Sequence, residues 1–296
     1  MIVPILAAHA GWHTDQLRAA LLARGHEAPV LPYEALAARL GTPAGARTAL
    51  DAEGIDLLAA DAVLARIIPN GSLEQIIFRV DALHWLEERG VRVMNSPRTI
   101  ERTVDKFYTS ALLQQAGLAT PETVVCERAE HAMAAFRALG DVIVKPLFGS
   151  MGLGMVRVSD EETAWRVFRA LEAIRGVYYL QRAIAHEGRD VRAFVVGDRV
   201  IGAIERRASG WRTNLARGGE ARAIALPAAW QAMALCAARA VGAEYAGVDL
   251  LPAHDGTVYV LEVNGIPGWR GLQQALSIDV AAMIVDHLLD ACRTSR

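Results

Sequence analysis

Apolar and polar positions alternate in short blocks along the opening of the chain. Residues 2–8 are an apolar run, 14–24 carry the helical spacing and stop at Gly25, and 28–32 are apolar again, which predicts a βαβ unit. A further strand at 62–68 leads through Pro69-Asn70-Gly71 to Ser72-Leu73-Glu74-Gln75, a capping box that starts a helix running to about Arg89. The strand 91–94 then meets Asn95-Ser96-Pro97, which reads as a lobe boundary. Beyond it the pattern predicts a helix over 98–117 with Asp105 as an N-cap, a strand at 123–126, a helix at 128–139 and a strand at 141–145. A glycine-rich connection leads to 155–158, strands follow at 177–183, 191–196 and 199–205, then a helix from Pro227 to about Val241, two strands within 246–263 and a helix over 279–292. The expected class is α/β, in three lobes covering 1–96, 97–182 and 183–296.

Composition narrows the function. No apolar run approaches the roughly 18 residues of a membrane helix, and the apolar N-terminus lacks a basic leader, so a soluble cytoplasmic protein is expected. Cys126, Cys236 and Cys292 are odd in number and far apart, which suits neither a disulfide framework nor a zinc cluster. A net charge of −2 gives no footprint for nucleic acid. Of 31 basic residues only Lys106 and Lys145 are lysine, the other 29 being arginine. Either they survive by chance, or a compact ammonium contacts phosphate oxygens there in a way that a planar guanidinium cannot.

Three segments carry chemistry. Phe148-Gly149-Ser150-Met151-Gly152-Leu153-Gly154 lets backbone amides approach a phosphate, and its β-like flanks separate it from loops that enter a helix; it reads as a nucleotide flap or as an ordinary glycine hairpin. In the segment 247–264, Asp255-Gly256 signals a two-residue hairpin in which His254 faces Thr257. That register sets Asp249 opposite Glu262 and puts Asn264 on the same face, so a positive charge must lie between the carboxylates. Hard oxygen donors of this kind suit Mg²⁺, the bland alternative being a solvated edge with Glu262 paired to an arginine. Glu205-Arg206-Arg207 and the run from Trp211 to Gly219 concentrate cations, for which pairing with phosphate is a natural role, although such a run alone reads as a solvated face. None of the eight histidines has a defensible catalytic or metal spacing.

Asp105-Lys106, Val144-Lys145-Pro146 with its flap, Asp190-Val191-Arg192, Arg212-Thr213-Asn214, Arg217-Gly218-Gly219, Gly247-Val248-Asp249 and Glu262-Val263-Asn264 together resemble the RimK-like branch of the ATP-grasp superfamily over roughly residues 60–290. The resemblance implies ATP held between a central and a C-terminal lobe, with Lys106, Lys145 and the flap residues Gly149, Ser150, Met151 and Gly152 at the phosphates. Gln181, Arg182 and Asp190 would lie along the adenosine, and Arg212 and Asn214 would approach the phosphates. Asp249, Glu262 and Asn264 would hold two Mg²⁺, with Mn²⁺ as a substitute, and Arg217 would steady an acyl phosphate. The implied reaction activates a carboxylate with ATP and joins it to an amine, L-glutamate or a similar amino acid being added to a small cofactor or peptide.

After Asn264 the chain departs from the ribosomal-protein-modifying enzymes with Gly265-Ile266-Pro267-Gly268-Trp269-Arg270. Trp269 could stack on a flat ring and Arg270 could pair with a carboxylate, in a likeness to the proteins associated with tetrahydromethanopterin or methanofuran-type cofactors; equally, Trp269 could cap a helix from the core. Competing readings are a D-alanine or glutathione-type ligase and an ATP-binding regulator without turnover. A homo-oligomer is left open.

Overall fold

The computed structural model describes residues 1–41, 49–149, 152–207 and 220–294. The first lobe runs β1 (Ile5–Ala7), α1 (Trp12–Leu22), β2 (Val30–Pro32), β3 (Leu36–Arg39), β4 (Ala49–Ala52), β5 (Ile55–Asp56), β6 (Ala62–Ala65), α2 (Leu73–Glu88) and β7 (Arg92–Met94). Its main sheet has the order β2-β1-β6-β7 with all neighbours parallel, and apart from Arg92 it is apolar because both faces are covered. The capping box is present: Ser72 accepts from the Gln75 amide at 3.2 Å while Gln75 Oε1 accepts from the Ser72 amide at 2.9 Å. Between β2 and β6 the chain makes a small antiparallel sheet, β3-β4-β5, for which no element was read from the sequence.

The helix expected over 98–117 is two helices, α3 (Pro97–Val104) and α4 (Lys106–Gln115). Asp105 sits between them in the extended region and accepts the Tyr108 amide at 3.1 Å, so it ends one helix and caps the next. The central lobe follows as β8 (Thr123–Cys126), α5 (Ala129–Leu139), β9 (Val142–Lys145), β10 (Val156–Val158), α6 (Glu161–Ala173) and β11 (Tyr178–Arg182), with sheet order β10-β9-β11-β8. Helix α6 was not expected, although Asp160 caps it through the Thr163 amide at 2.8 Å and Ala164 and Phe168 bury one face.

The last lobe holds β12 (Arg189–Val196), β13 (Arg199–Arg207), β14 (Glu220–Ala223), α7 (Ala228–Val241), β15 (Tyr245–Pro252), β16 (Val258–Asn264), α8 (Arg270–Leu276) and α9 (Val280–Thr294). Its antiparallel sheet has the order β14-β13-β12-β15-β16. Helix α9 packs Val280, Ile284 and Leu288 into the same core as Val3, Ile5, Leu17 and Leu21. One continuous apolar core therefore fixes the first lobe on the last. Asn95, fully buried, ties the seam by donating to the Tyr245 and Gly265 carbonyls and accepting the Glu244 amide.

The hairpin between β15 and β16 corrects one expectation. Ala253, not His254, faces Thr257: its amide donates to the Thr257 carbonyl at 2.8 Å, and the three-residue loop ends on Gly256 at φ 86°. This would displace the register by one residue, but Leu261 forms a bulge in β16, and Asp249 again pairs with Glu262 and Gly247 with Asn264.

Candidate active site

A cavity of about 550 Å³ lies between the central sheet and the last sheet, lined among others by Lys106, Lys145, Gln181, Asp190, Asp249 and Glu262. Two lysines enter it from one side. Lys106 occupies the first turn of α4, where the Asp105 cap orients it, and its Nζ donates to the Gly149 carbonyl at 2.7 Å. Lys145 is the last residue of β9, and its Nζ donates to Gln181 Oε1 on the neighbouring strand at 2.5 Å. Gln181 is fixed in turn through Nε2 to Thr123 Oγ1 at 3.1 Å. Burial pushes the Lys145 ammonium down to about 8, opposed by Glu262 and assisted by the neighbouring charge of Lys106. Burial also lowers Lys106, against the pull of Glu262 and Asp105. The two ammonium groups thus stand in a partly dry cavity with only neutral oxygens as direct hydrogen-bond acceptors, an arrangement that takes anionic oxygens well.

The glycine-rich connection joins the antiparallel strands β9 and β10, and Gly149, Gly152 and Gly154 all have positive φ. A backbone of that shape is closed to most side chains and suits a loop that approaches a ligand through its main chain. Ser150 and Met151 lie outside the described residues, as do Arg212, Asn214 and Arg217.

The opposite wall is one face of the last sheet. Cross-strand pairing sets Asp190 beside Arg206, and Arg192 beside Asp249, which pairs with Glu262. Arg192 Nε and Nη2 donate to Asp249 Oδ1 and Oδ2 at 2.7 Å each. Arg206 donates to both oxygens of Asp190 at 2.7 and 2.6 Å, and its Nη2 also lies 2.9 Å from Asp249 Oδ2. Burial would raise Asp249, but Arg192 and Arg206 outweigh it and hold the carboxyl below the usual range. Asp249 therefore draws its counter-charge from the protein itself, on the β12 side away from Glu262. Arg206 is only 3% exposed, which corrects the reading of Glu205-Arg206-Arg207 as a solvated face; Arg207 alone is exposed, bonded to Glu205 Oε1 at 2.5 Å.

Glu262 has no hydrogen-bond or ion-pair partner among the described residues, and its charge acts on both lysines. Asn264 Oδ1 accepts the Ile266 amide at 2.9 Å, which leaves that oxygen a second lone pair. No group of three or more His, Cys, Asp or Glu able to hold a metal occurs among the described residues. The set Asp249, Glu262 and Asn264 nevertheless fits a hard divalent cation in its chemistry, Glu262 as it stands and Asp249 once a guanidinium is drawn away. Arg182 is placed less simply than expected: its guanidinium is committed to Glu122 at 2.6 Å and to the Leu139 carbonyl at 3.0 Å. Arg192, which ties the sheet to Asp249, has no role assigned from the sequence; its place two residues after Asp190, on the same face of the strand, was the signal available.

The structure also corrects the acceptor reading of Trp269. This residue is 1% exposed, packed against His13, Phe194 and Trp12, with the Arg66 guanidinium carbon 4.8 Å from its ring centroid. It precedes α8 as the capping residue and offers no free ring face. Arg270, in contrast, is exposed, its guanidinium carbon 5.7 Å from the Trp12 ring centroid. No helix among the described residues is long and apolar enough to cross a membrane.

Comparison with known proteins identifies the family. The tetrahydromethanopterin:alpha-L-glutamate ligase of Methanosarcina acetivorans is 38% identical over 257 residues, covering 77% of this chain and 79% of that protein. A protein of Sodalis glossinidius named probable alpha-L-glutamate ligase is 33% identical, over 92% of this chain and 91% of its own. Among solved structures, the RimK domain ATP-grasp protein of Sphaerobacter thermophilus superposes with a TM-score of 0.74 at 25% identity, covering 98% of this chain and 100% of that one. The ATP-grasp ligase PsnB in complex with a minimal precursor does so with a TM-score of 0.76 at 24% identity, over 97% and 98% of the two chains. The RimK-like ATP-grasp domain itself matches residues 103–288, and the chain belongs to that family.

Proposed function

We propose that this ATP-dependent carboxylate–amine ligase adds L-glutamate, or a similar amino acid, to a carboxylate of a small cofactor or peptide. The convergence of Lys106, Lys145 and the paired Asp249 and Glu262 on one cavity carries the reading. In it, Lys106 and Lys145 hold the phosphates of ATP, the flap covers them with backbone amides, and Gln181, Asp190 and the main chain at 182–185 border the nucleoside. Asp249, Glu262 and Asn264 would hold Mg²⁺, which supplies charge neutralisation at the phosphates when bound.

An acceptor carboxylate oxygen attacks the γ-phosphorus and ADP leaves, giving an acyl phosphate. The amine nitrogen then attacks the acyl carbon, the carbon–oxygen bond to phosphate breaks, and the amine loses a proton. No side-chain nucleophile is needed. Positioning and fixed positive charge do most of the work, Arg212, Asn214 and Arg217 belonging to the proposal by resemblance alone. The alpha-L-glutamate ligase names of the two curated relatives support glutamate as the added amino acid, and that of the Methanosarcina relative supports a cofactor acceptor. A cytoplasmic location, supported by three cysteines that are odd in number and far apart in the sequence, completes the reading.

The test is release of ADP from Mg-ATP across a panel of amino acids and carboxylate acceptors, with the acceptor carboxylate labelled with ¹⁸O. Transfer of one label to phosphate, dependent on both acceptor and amine, is expected. ADP release without label transfer would show plain hydrolysis and remove the acyl phosphate from the account.

A further inference from the structure

Tyr179 lies on β11, is 1% exposed, and stands directly opposite Lys145 in the antiparallel pairing with β9. The Lys145 ammonium is 6.0 Å from its ring centroid. Gln181, two residues on and therefore on the same face of the strand, is the residue to which Lys145 donates. The Tyr179 hydroxyl is bonded to Ser110 Oγ at 2.9 Å and accepts from Gln181 Nε2 at 3.3 Å. Ser110 belongs to α4, one helical turn after Lys106, so the two side chains share a face of that helix. A single buried hydroxyl therefore touches both the helix that carries one lysine and the amide that holds the other.

The direction of each bond follows from Thr123. Its only hydroxyl proton goes to the Pro121 carbonyl at 2.8 Å, an atom that can only accept. Thr123 Oγ1 must then accept from Gln181, which makes the amide nitrogen the atom next to β8 and leaves Oε1 for Lys145. The second Nε2 hydrogen goes to the Tyr179 oxygen, and the Tyr179 proton is left for Ser110. Both amide hydrogens of Gln181 are thus used within the protein, and inverting the amide would lose them both. The tyrosine ring alone would fill its space in the sheet. What the hydroxyl adds is a fixed distance between α4 and β11.

We propose that Tyr179 is a positioning residue that sets the separation of the Lys106 and Lys145 ammonium groups, so that one nucleotide engages both through successive phosphates. Without the bridge each lysine keeps its place in the cavity but their spacing varies. A first phosphate is then bound as before, and a second loses part of the gain that a preorganised pair supplies. This inference rests on the phosphate role given above to the two lysines.

Calorimetric titration with AMP and with ADP, both without metal, tests it in Tyr179→Phe, which keeps the ring and its contact with Lys145. Wild-type protein should prefer ADP to AMP by at least about tenfold. In Tyr179→Phe that preference should fall by about fivefold, the scale of one net hydrogen bond, while AMP affinity stays within about twofold. Ser110→Ala, at the other end of the bridge, should give the same fall, and combining the two substitutions should do no more than either alone. An unchanged ratio of affinities, equal loss of AMP and ADP binding, or additive losses in the double variant would each overturn the proposal. Equal affinity of the wild type for AMP and ADP would strike the phosphate role of the lysines itself, and the proposal with it.

Discussion

Arg192 closes a bidentate pair on Asp249, with Nε and Nη2 each 2.7 Å from a carboxylate oxygen, and so engages both oxygens of the carboxylate that a cation shared with Glu262 would need. A divalent ion must compete with a guanidinium for that carboxylate. Arg192→Ala should therefore strengthen Mn²⁺ binding in the absence of nucleotide by about tenfold, the scale of a lost charge-assisted pair. Titration followed by electron paramagnetic resonance measures it directly. Weaker Mn²⁺ binding by the variant would mean that Arg192 assists the metal and does not shield its ligand.

The network around Asp249 also bears on stability. Arg206 serves both Asp190 and Asp249 from a buried position, so Arg206→Met leaves two buried carboxylates short of partners. Breaking a buried pair from one side costs about 3–5 kcal/mol, and denaturant unfolding of the variant should show a loss of that order. A change near zero would place the pair in a wetter environment than its burial indicates.

Lys145 should tolerate no other cation. Lys145→Arg keeps the charge, but a planar fork cannot occupy the space between Gln181 and the cavity. Its kcat/KM should fall by about a hundredfold or more, equivalent to roughly 2.7 kcal/mol of lost transition-state stabilisation. The free-protein ammonium titrates at about 8, so bound phosphates favour its protonated form, and nucleotide affinity should fall as pH rises above about 8. In Lys145→Met the part of that dependence due to this group should vanish. An unchanged pH profile in that variant would assign the titration elsewhere.

Trp269 gives a prediction that separates core from site. Trp269→Ala should cost about 3–5 kcal/mol by emptying a packed position. Trp269→Phe should cost clearly less, because it keeps most of the contact area and removes a buried indole N–H that has no partner among the described residues. A large effect of Trp269→Phe on acceptor KM with stability intact would restore the ring-platform reading.

How far the sequence revealed this site is instructive at particular residues. The rarity of lysine pointed to Lys106 and Lys145, and the structure places both at one cavity. The opposition of Asp249 and Glu262 is observed, yet it arises by another route: a three-residue loop shifts the register by one, and a bulge at Leu261 shifts it back. Hydrophobic alternation cannot see a bulge, because the inserted residue is itself apolar. Helix α6 is hard to read from the sequence because Glu161, Glu162 and Arg166 dominate its exposed face and only Ala164 and Phe168 are buried. The grip of Arg192 and Arg206 on Asp249 depends on strand order β13-β12-β15, a long-range fact no local pattern carries. Trp269 misled for the opposite reason, since a tryptophan beside an arginine looks alike in a cleft and in a core.

The most direct measurement of the central claim, that Asp249 and Glu262 hold the cation of a nucleotide whose phosphates rest on Lys106 and Lys145, is the Mg²⁺ dependence of ADP binding by calorimetry. Wild-type protein should bind ADP at least about tenfold more tightly with Mg²⁺ than without it, a difference of roughly 1.4 kcal/mol. Glu262→Gln should lose that gain while keeping its metal-free affinity. Equal ADP affinity with and without Mg²⁺, or a gain that survives in Glu262→Gln, would contradict the account.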